Sequence, residues 1–203
     1  YRVGFHGERI GRYVMEEAAK VADEIIVVES EVTFSGQPSE IYFPEVPLSR
    51  AVQEKTTHLR ITEEDMRGVL TPAFDEYGKE DHSAYPWQRE RFIMDWHLAY
   101  VREKYCNTTQ PFLVYFGDID EVPDFTALDS AEKLRSIHGT IAQKRAPMVF
   151  DMEFYFFDFR WLFPYSWRRG FLLDEHLVCN SNKTSTDFKM ISWDTKDAEL
   201  LIK

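Results

Sequence analysis

Three carboxylates stand within four residues, one glycine after a run of five apolar residues. Phe112–Phe116 reads FLVYF, and after Gly117 come Asp118, Asp120 and Glu121. Carboxylates this close repel one another strongly unless a counter-charge lies among them. A hard divalent cation with oxygen ligands supplies that charge and keeps coordination positions for water and substrate phosphates. The pattern predicts a Mn²⁺ or Mg²⁺ site with Asp118 and Asp120 as metal ligands.

The same letters fit other interpretations. An acidic turn can simply end a strand and cap the helix that follows. Phosphatases of the haloacid dehalogenase type also place Asp-x-Asp-x-Thr/Val after an apolar strand, and DIDEV at 118–122 matches that pattern, with Asp118 as the nucleophile. That motif normally lies near the start of its fold, whereas here it lies past the middle of the chain. GT-A glycosyltransferases place Asp-x-Asp after a nucleotide-binding α/β segment, so the position favours a transferase.

Size and charge limit the classes of function. The chain has 203 residues, 44% of them hydrophobic, which suits one domain with a full core over 1–203. Its 35 acidic and 24 basic residues give a net charge of −11, which argues against a nucleic-acid partner. No apolar run approaches the roughly 18–20 residues that span a bilayer, so we expect no membrane contact within this chain. A removed anchor is compatible with this expectation.

The first thirty residues predict a strand, a helix and a second strand. Arg2–Phe5 is short and apolar, and Glu8–Ala22 has apolar residues at helical spacing. Glu24–Glu29 is a continuous β-branched run, which is typical of a parallel strand buried on both faces. Ligands of open α/β sheets bind beyond the carboxyl ends of such strands, where Glu29 and Ser30 lie.

The rest of the chain continues the α/β pattern. We predict an α/β fold with a mixed, mostly parallel sheet flanked by helices. The further expected elements are a strand at His58–Ile61, a helix capped by Thr62, a helix at Trp87–Tyr105, a strand at Phe112–Phe116, a helix at Ala131–Ile137 and a long strand at Met148–Trp161.

The cysteines and asparagines give information on the cellular compartment of the protein. Cys106 and Cys179 lack the spacing of a metal site and are either two buried thiols, which we favour, or one disulfide. Asn107 and Asn182 both begin the N-glycosylation acceptor pattern, which leans towards a secretory lumen. Ordinary polar loops rich in Thr and Ser explain the same pattern.

Four stretches together resemble one family. They are VVESEVTFSGQP at Val27–Pro38, WQRERF at Trp87–Phe92, the acidic motif at Asp118–Pro123 and FYFFDFRW at Phe154–Trp161. In this order and over most of the chain, they resemble the β-1,4-mannosyl-glycoprotein N-acetylglucosaminyltransferases (glycosyltransferase family 17), which add the bisecting GlcNAc to N-glycans.

The resemblance implies a GT-A fold, a UDP-sugar donor (UDP-GlcNAc by analogy), a glycan or glycoprotein acceptor and inversion at the anomeric carbon. It implies the Golgi lumen, or the cytoplasm for a microbial or viral member. Asp118 and Asp120 inherit the metal and diphosphate role. Glu29 and Ser30 match the segment near the nucleoside. Arg91 becomes a candidate for an ion pair with the acidic motif or the donor, or an ordinary exposed helix charge.

Two departures from the family pattern stand out. Gly117 takes the place of the usual Ser, a difference we expect to be harmless. The family's Gly-Trp-His segment is absent before Lys203, so the chain either diverges or is shorter than the catalytic domain. The second departure keeps a sugar-binding module without turnover as a further interpretation.

An inverting transfer also needs a base and an acceptor surface. The base must remove the acceptor's hydroxyl proton, and Asp174 or Glu175 follows the aromatic strand at a suitable position. A solvated acidic turn explains these two acids as well. Trp161, Tyr165 and Trp167 are candidates to stack on acceptor sugar rings, or members of the core.

Overall fold

A computed structural model describes residues 7–43, 47–72, 74, 76–82, 84–119, 121–153, 167–184, 187–188 and 201–202. They form an α/β protein that divides into two compact units, Tyr1–Tyr100 and Val101–Lys203. The expected first strand, Arg2–Phe5, lies outside the described residues. The prediction of one domain over the whole chain stays a prediction.

The first unit is built around a short parallel sheet. Its elements are α1 (Gly7–Ala18), β1 (Ile25–Ser30), α2 (Arg50–Lys55), β2 (Thr56–Ile61), α3 (Glu63–Arg67) and most of α4 (Ala84–Tyr105). Strands β1 and β2 pair in parallel from Ile25 opposite Thr56 to Ser30 opposite Ile61.

Helices cover both faces of this sheet. Val28 packs in one cluster with Ile93 of α4, and Val27 packs in another with Met15 of α1 and Val52 of α2. Successive strand residues point to opposite faces, so β1 is buried from both sides. The prediction of a doubly buried parallel strand is confirmed.

Local helix signals set the boundaries closely. Thr62 begins α3 with a capping box, in which its hydroxyl accepts from the Asp65 N–H and the Asp65 carboxylate accepts from the Thr62 N–H. The helix predicted at Glu8–Ala22 ends at Ala18 and continues only as turns. The helix predicted at Trp87–Tyr105 begins at Ala84. Within the described ranges, no helix combines the length and apolar character needed to cross a bilayer.

The second unit contains a mixed four-stranded sheet. Its elements are β3 (Leu113–Phe116), a short 3₁₀ helix (Phe125–Leu128), α5 (Ala131–Lys144), β4 (Met148–Met152), β5 (Trp167–Asp174), α6 (Glu175–Asn180) and β6 (Leu201–Ile202). The order in space is β3-β5-β4-β6. Strand β5 is antiparallel to both β3 and β4, and β4 is parallel to β6.

This pairing corrects one expectation. We expected a mostly parallel sheet, but β5, the neighbour of the FLVYF strand, is antiparallel to it. An apolar run reports burial and carries no information on the direction of its partner. The long strand predicted at Met148–Trp161 begins as β4, and residues 154–166 lie outside the described part.

The two cysteines form a disulfide between the end of α4 and α6. The preference for buried thiols was therefore wrong. Arg102 of α4 reinforces the link, because its guanidinium donates to the carbonyl oxygens of Val178, Ser181 and Lys183.

Candidate functional site

The acidic motif forms a hydrogen-bonded turn after β3. The Asp118 N–H donates to Glu121 Oε2 at 3.0 Å, and the Glu121 N–H donates to the Asp118 carbonyl at 3.0 Å. Glu121 is 8% exposed and Asp118 is half-buried. Asp120 lies outside the described residues. We call residues 118–121 the acidic turn.

A buried tyrosine hydroxyl lies beside this turn. The Tyr115 hydroxyl is shielded from solvent and has no hydrogen-bond partner among the described residues. Burial raises the pKa of Tyr115 well above its ordinary value, and the charges of Glu121 and Asp118 raise it further. The hydroxyl therefore stays protonated.

Two glycines hold the Tyr115 ring. A Cβ atom on Gly117 would lie 2.6 Å from Cζ and 2.8 Å from Cε1 of the ring. A Cβ atom on Gly170 would lie 2.8 Å from Cε2, and Gly170 has a left-handed φ of +64°. The two edges of the ring thus contact backbone that only glycine provides. Gly117 therefore leaves room for this ring.

The sheet brings two further carboxylates to the edge that carries the acidic turn. Strands β3 and β4 are both antiparallel to β5, so they run in the same direction and their carboxyl ends share an edge. Asp151 lies at that end of β4 and exposed Glu153 follows it. One strand separates β3 from β4, which corresponds to about 10 Å between their axes.

These two acids are candidate site residues that sequence reasoning missed. Asp151 and Glu153 fall on one parity of a strand, so they looked like the polar face of that strand. Knowledge of the antiparallel pairing of β4 with β5, in which Asp151 is opposite Arg168, would have identified them. Residues 153–166 separate these two strands in the sequence, so no local pattern announces their pairing.

Asp174 and Glu175 lie at the opposite end of β3. Asp174 is 1% exposed and caps α6, because its Oδ1 accepts from the Leu177 N–H at 2.8 Å. Glu175 Oε2 lies 2.7 Å from His138 Nε2 and accepts weakly from the Phe112 N–H. Burial alone would raise the pKa of Glu175, but its hydrogen bonds, chiefly that from His138, outweigh burial and lower it.

The register measures how far these acids lie from the acidic turn. Leu113 is opposite Asp174, whereas the turn begins after Phe116. Three strand residues already span about 10 Å, and Asp118 lies two residues beyond them. The structure therefore does not bring Asp174 or Glu175 together with Asp118, and burial of Asp174 excludes a solvated turn for that residue.

Glu29 and Ser30 lie at the carboxyl end of β1 in the first unit. Glu29 is 2% exposed, and its two oxygens accept from the N–H groups of Tyr42 and Phe43 at 3.0 and 2.9 Å. His58 Nε2 lies 2.9 Å from the same carboxylate. Ser30 Oγ accepts from the Val32 N–H. These contacts fix the loop after the strand.

Two of the four motif stretches contact each other in the first unit. The Phe34 and Trp87 rings meet edge to face at 5.4 Å, and both side chains are about half exposed. The Arg89 guanidinium donates to the Phe34 carbonyl and covers Gly36, whose φ is +85°. The left-handed φ of Gly36 thus explains the glycine of Thr-Phe-Ser-Gly. Arg91, by contrast, is exposed on α4.

The three aromatic residues predicted for the acceptor are described only in part. Trp161 and Tyr165 lie outside the described residues. Trp167 begins β5 opposite Met152, so its backbone lies at the edge that carries Glu153.

No family model, curated protein or solved structure matches this chain. The family resemblance therefore rests on the four motif stretches alone. In the part of the chain that the structure describes, no three His, Cys, Asp or Glu side chains form a group suited to a metal ion, and Asp120 is not in that part.

Proposed function

We propose that the protein is an inverting, metal-dependent glycosyltransferase that moves a sugar, GlcNAc by analogy, from a UDP-sugar to a glycan acceptor. One observation carries the proposal: the acidic turn follows an apolar strand and lies beside a buried tyrosine hydroxyl, whose pKa is raised by burial and by the charges of Glu121 and Asp118. The four stretches that resemble the family supply the reaction class.

In this proposal the acidic turn binds a divalent cation. Asp118 and Asp120 would hold Mn²⁺ or Mg²⁺, which supplies positive charge to the departing diphosphate. Glu121 holds the backbone of Asp118 in place through the Asp118 N–H. The buried Tyr115 hydroxyl can donate to one more oxygen at this site, since no described residue accepts from it.

Glu153 is the base in this proposal. A base must come within hydrogen-bond reach of the acceptor hydroxyl, while the donor's diphosphate stays at the acidic turn. Glu153 is exposed at the same edge of the sheet, whereas Asp174 and Glu175 lie at the far end of β3. Asp151 is the second choice, because one of its carboxylate oxygens is buried.

The donor roles of Glu29, Ser30 and Arg91 rest on the resemblance. Glu29 and Ser30 are already committed to backbone N–H groups, so their part in nucleoside binding would be to shape the loop after β1. The Golgi lumen follows from the same resemblance. The disulfide adds an independent argument for an oxidising compartment, because such bonds rarely persist in the cytosol.

Titration calorimetry with UDP, with and without Mn²⁺, tests the proposal. We expect UDP to bind only with the metal, and Asp118→Asn to weaken this binding by about tenfold or more, or 1.4 kcal/mol. Asp129→Asn is the matched control, since Asp129 is exposed and pairs with Lys133. A donor screen with UDP-GlcNAc, UDP-Glc, UDP-Gal and GDP-sugars then reads nucleotide release.

Each other outcome points to a different function. Sugar binding that is indifferent to UDP and Mn²⁺ would support a binding module without turnover. A phosphate-mimicking fluoride adduct on Asp118 would support the phosphatase. UDP binding that persists equally in Asp118→Asn would remove the acidic turn from the site.

A further inference from the structure

The chain has three asparagines, and two of them begin the acceptor pattern for N-linked glycans. The patterns are Asn107-Thr108-Thr109 and Asn182-Lys183-Thr184. Asn180 is followed by Ser181 and Asn182 and does not fit the pattern. The proposed function makes no use of these residues.

The structure separates the two acceptor asparagines from the third. Asn107 and Asn182 are exposed, and neither side chain has a hydrogen bond to a described residue. The Asn180 amide lies 3.1 Å from His176 Nδ1 on α6. The hydroxyl residues Thr109 and Thr184 are also exposed. Both patterns therefore lie on surface that can accommodate a bulky polar group.

The disulfide supplies an observation that is independent of the sequence pattern. Cys106 and Cys179 are paired, and protein disulfides persist in the oxidising secretory compartments where N-glycans are also attached. Asn107 follows one half-cystine directly, and Asn182 follows the other by three residues. Arg102 fixes the carbonyls of Ser181 and Lys183 beside α4. Both asparagines therefore flank the same cross-link.

We propose that the chain is itself N-glycosylated at Asn107 and Asn182 in a secretory lumen. A lipid-linked diphosphate oligosaccharide is the donor. A bond forms between the asparagine Nδ2 and the anomeric carbon of the first sugar, while the bond from that carbon to the diphosphate oxygen breaks. The amide loses one proton to solvent, and the lipid diphosphate leaves. The glycans flank the disulfide on an end of the second unit that the proposed catalysis does not use.

The test is expression of the full chain behind a cleavable secretion signal in cultured mammalian cells. The intact mass is measured before and after treatment with peptide N-glycosidase in heavy-oxygen water. We expect two glycans on the wild type and conversion of both asparagines to labelled aspartate. Asn107→Gln and Asn182→Gln should each lose one glycan, and the double variant should lose both. Cell lysate is analysed beside the medium, so that a retained chain is measured too.

Three matched variants sharpen the result. Asn180→Gln should leave both glycans, since it lies outside the pattern. Thr109→Ser should keep the first glycan, and Thr109→Val should remove it while leaving Asn107 in place. A chain that carries its disulfide but no glycan, beside a co-expressed glycoprotein that is modified normally, would overturn the proposal. A glycan at one asparagine alone would overturn the assignment of the other.

Discussion

At the scale of single residues, the buried hydroxyl of Tyr115 is the clearest feature that no sequence pattern announces. An unpartnered hydroxyl in the interior costs about 1–3 kcal/mol. We therefore expect Tyr115→Phe to stabilise the metal-free protein by about 1 kcal/mol, which raises the midpoint of thermal unfolding by about 2–4 °C. Calorimetric unfolding in the presence of a chelator measures this change.

Tyr100→Phe is the control for Tyr115→Phe, because the Tyr100 hydroxyl has a hydrogen-bond partner. Its hydroxyl donates to Glu24 at 3.3 Å, so Tyr100→Phe removes a hydrogen bond and should lower the midpoint. A fall in stability for Tyr115→Phe as well would mean that its hydroxyl has a partner, and the argument for a donor at the acidic turn would fail.

Gly117 gives a second prediction at this scale. Gly117→Ala places a Cβ against the Tyr115 ring, which Gly170 holds from its other edge, so the ring has no room to move. We expect a loss of about 1–3 kcal/mol in the free energy of unfolding, measured with urea. Gly139→Ala is the control, because nothing lies within 4 Å of its Cβ position in α5, and it should stabilise by about 0.5–1 kcal/mol. Equal effects at the two glycines would show that the ring yields.

Residue types alone singled out the acidic motif as a candidate site, but they did not single out Tyr115 beside it. The acidic motif stands out because its charges cluster after an apolar run. Tyr115 reads as one more apolar letter of FLVYF, and only the positions of Gly117 and Gly170 show that its hydroxyl is enclosed. The role of Glu29 in fixing Tyr42 and Phe43 was equally invisible, since these residues lie 13 and 14 positions away.

At the scale of elements, the register of β3 against β5 decides which acids can cooperate. Asp174 ends β5 and caps α6, so its carboxylate has a structural role. Asp174→Ala should cost about 1–2 kcal/mol in stability, while Asp174→Asn keeps the acceptor oxygen and should cost much less. Thermal unfolding of the two variants compares them directly.

Measurements of turnover distinguish the candidate bases at the two ends of β3. We expect Glu153→Gln to lower kcat by about 10²- to 10⁴-fold, as loss of a general base does. Asp174→Asn and Glu175→Gln should retain most of the activity, because they lie beyond reach of the acidic turn. The reverse pattern, with normal turnover in Glu153→Gln and none in Glu175→Gln, would restore the assignment made from the sequence.

Element identity was largely predictable, and element pairing was not. β-branched runs, helical spacing and the cap at Thr62 set most of the boundaries, because these signals are local. The partner of β3 is β5, more than fifty residues along the chain, and no local pattern specifies its antiparallel direction. Asp151 and Glu153 were missed for this reason.

At the scale of the whole molecule, the cysteine pairing was the main unpredicted feature. Cys106 and Cys179 are 73 residues apart, and only the proximity of α4 and α6 brings them together. Cysteine spacing cannot show that proximity in a chain with two cysteines. The disulfide changes the interpretation of the two acceptor asparagines. It indicates an oxidising compartment, and N-glycans are attached in such a compartment.

Between pH 6.5 and 4, His97 makes the stability of the protein depend on pH. Burial lowers the pKa of His97 to about 4, although the hydrogen bond from its Nδ1 to the Ile93 carbonyl opposes the shift. In the unfolded chain His97 therefore takes up a proton near pH 6.5. In the folded chain it takes up this proton only near pH 4. Because the folded pKa is the lower one, stability is complete above pH 6.5 and falls as the pH drops towards 4, by roughly 3 kcal/mol at most.

His97→Gln isolates this contribution, since glutamine is neutral and keeps an N–H donor. Urea unfolding across pH 4 to 8 should show a steep loss in the wild type between pH 6.5 and 4 and a much flatter profile in the variant. The lowered pKa of Glu175 adds a loss only at more acidic pH, below its ordinary value of 4.5, so it does not overlap the upper part of this window. Parallel profiles for the two proteins between pH 6.5 and 5 would show that His97 takes up its proton in the folded state, and the packing of α4 around it would then have to be more open to water than its burial implies.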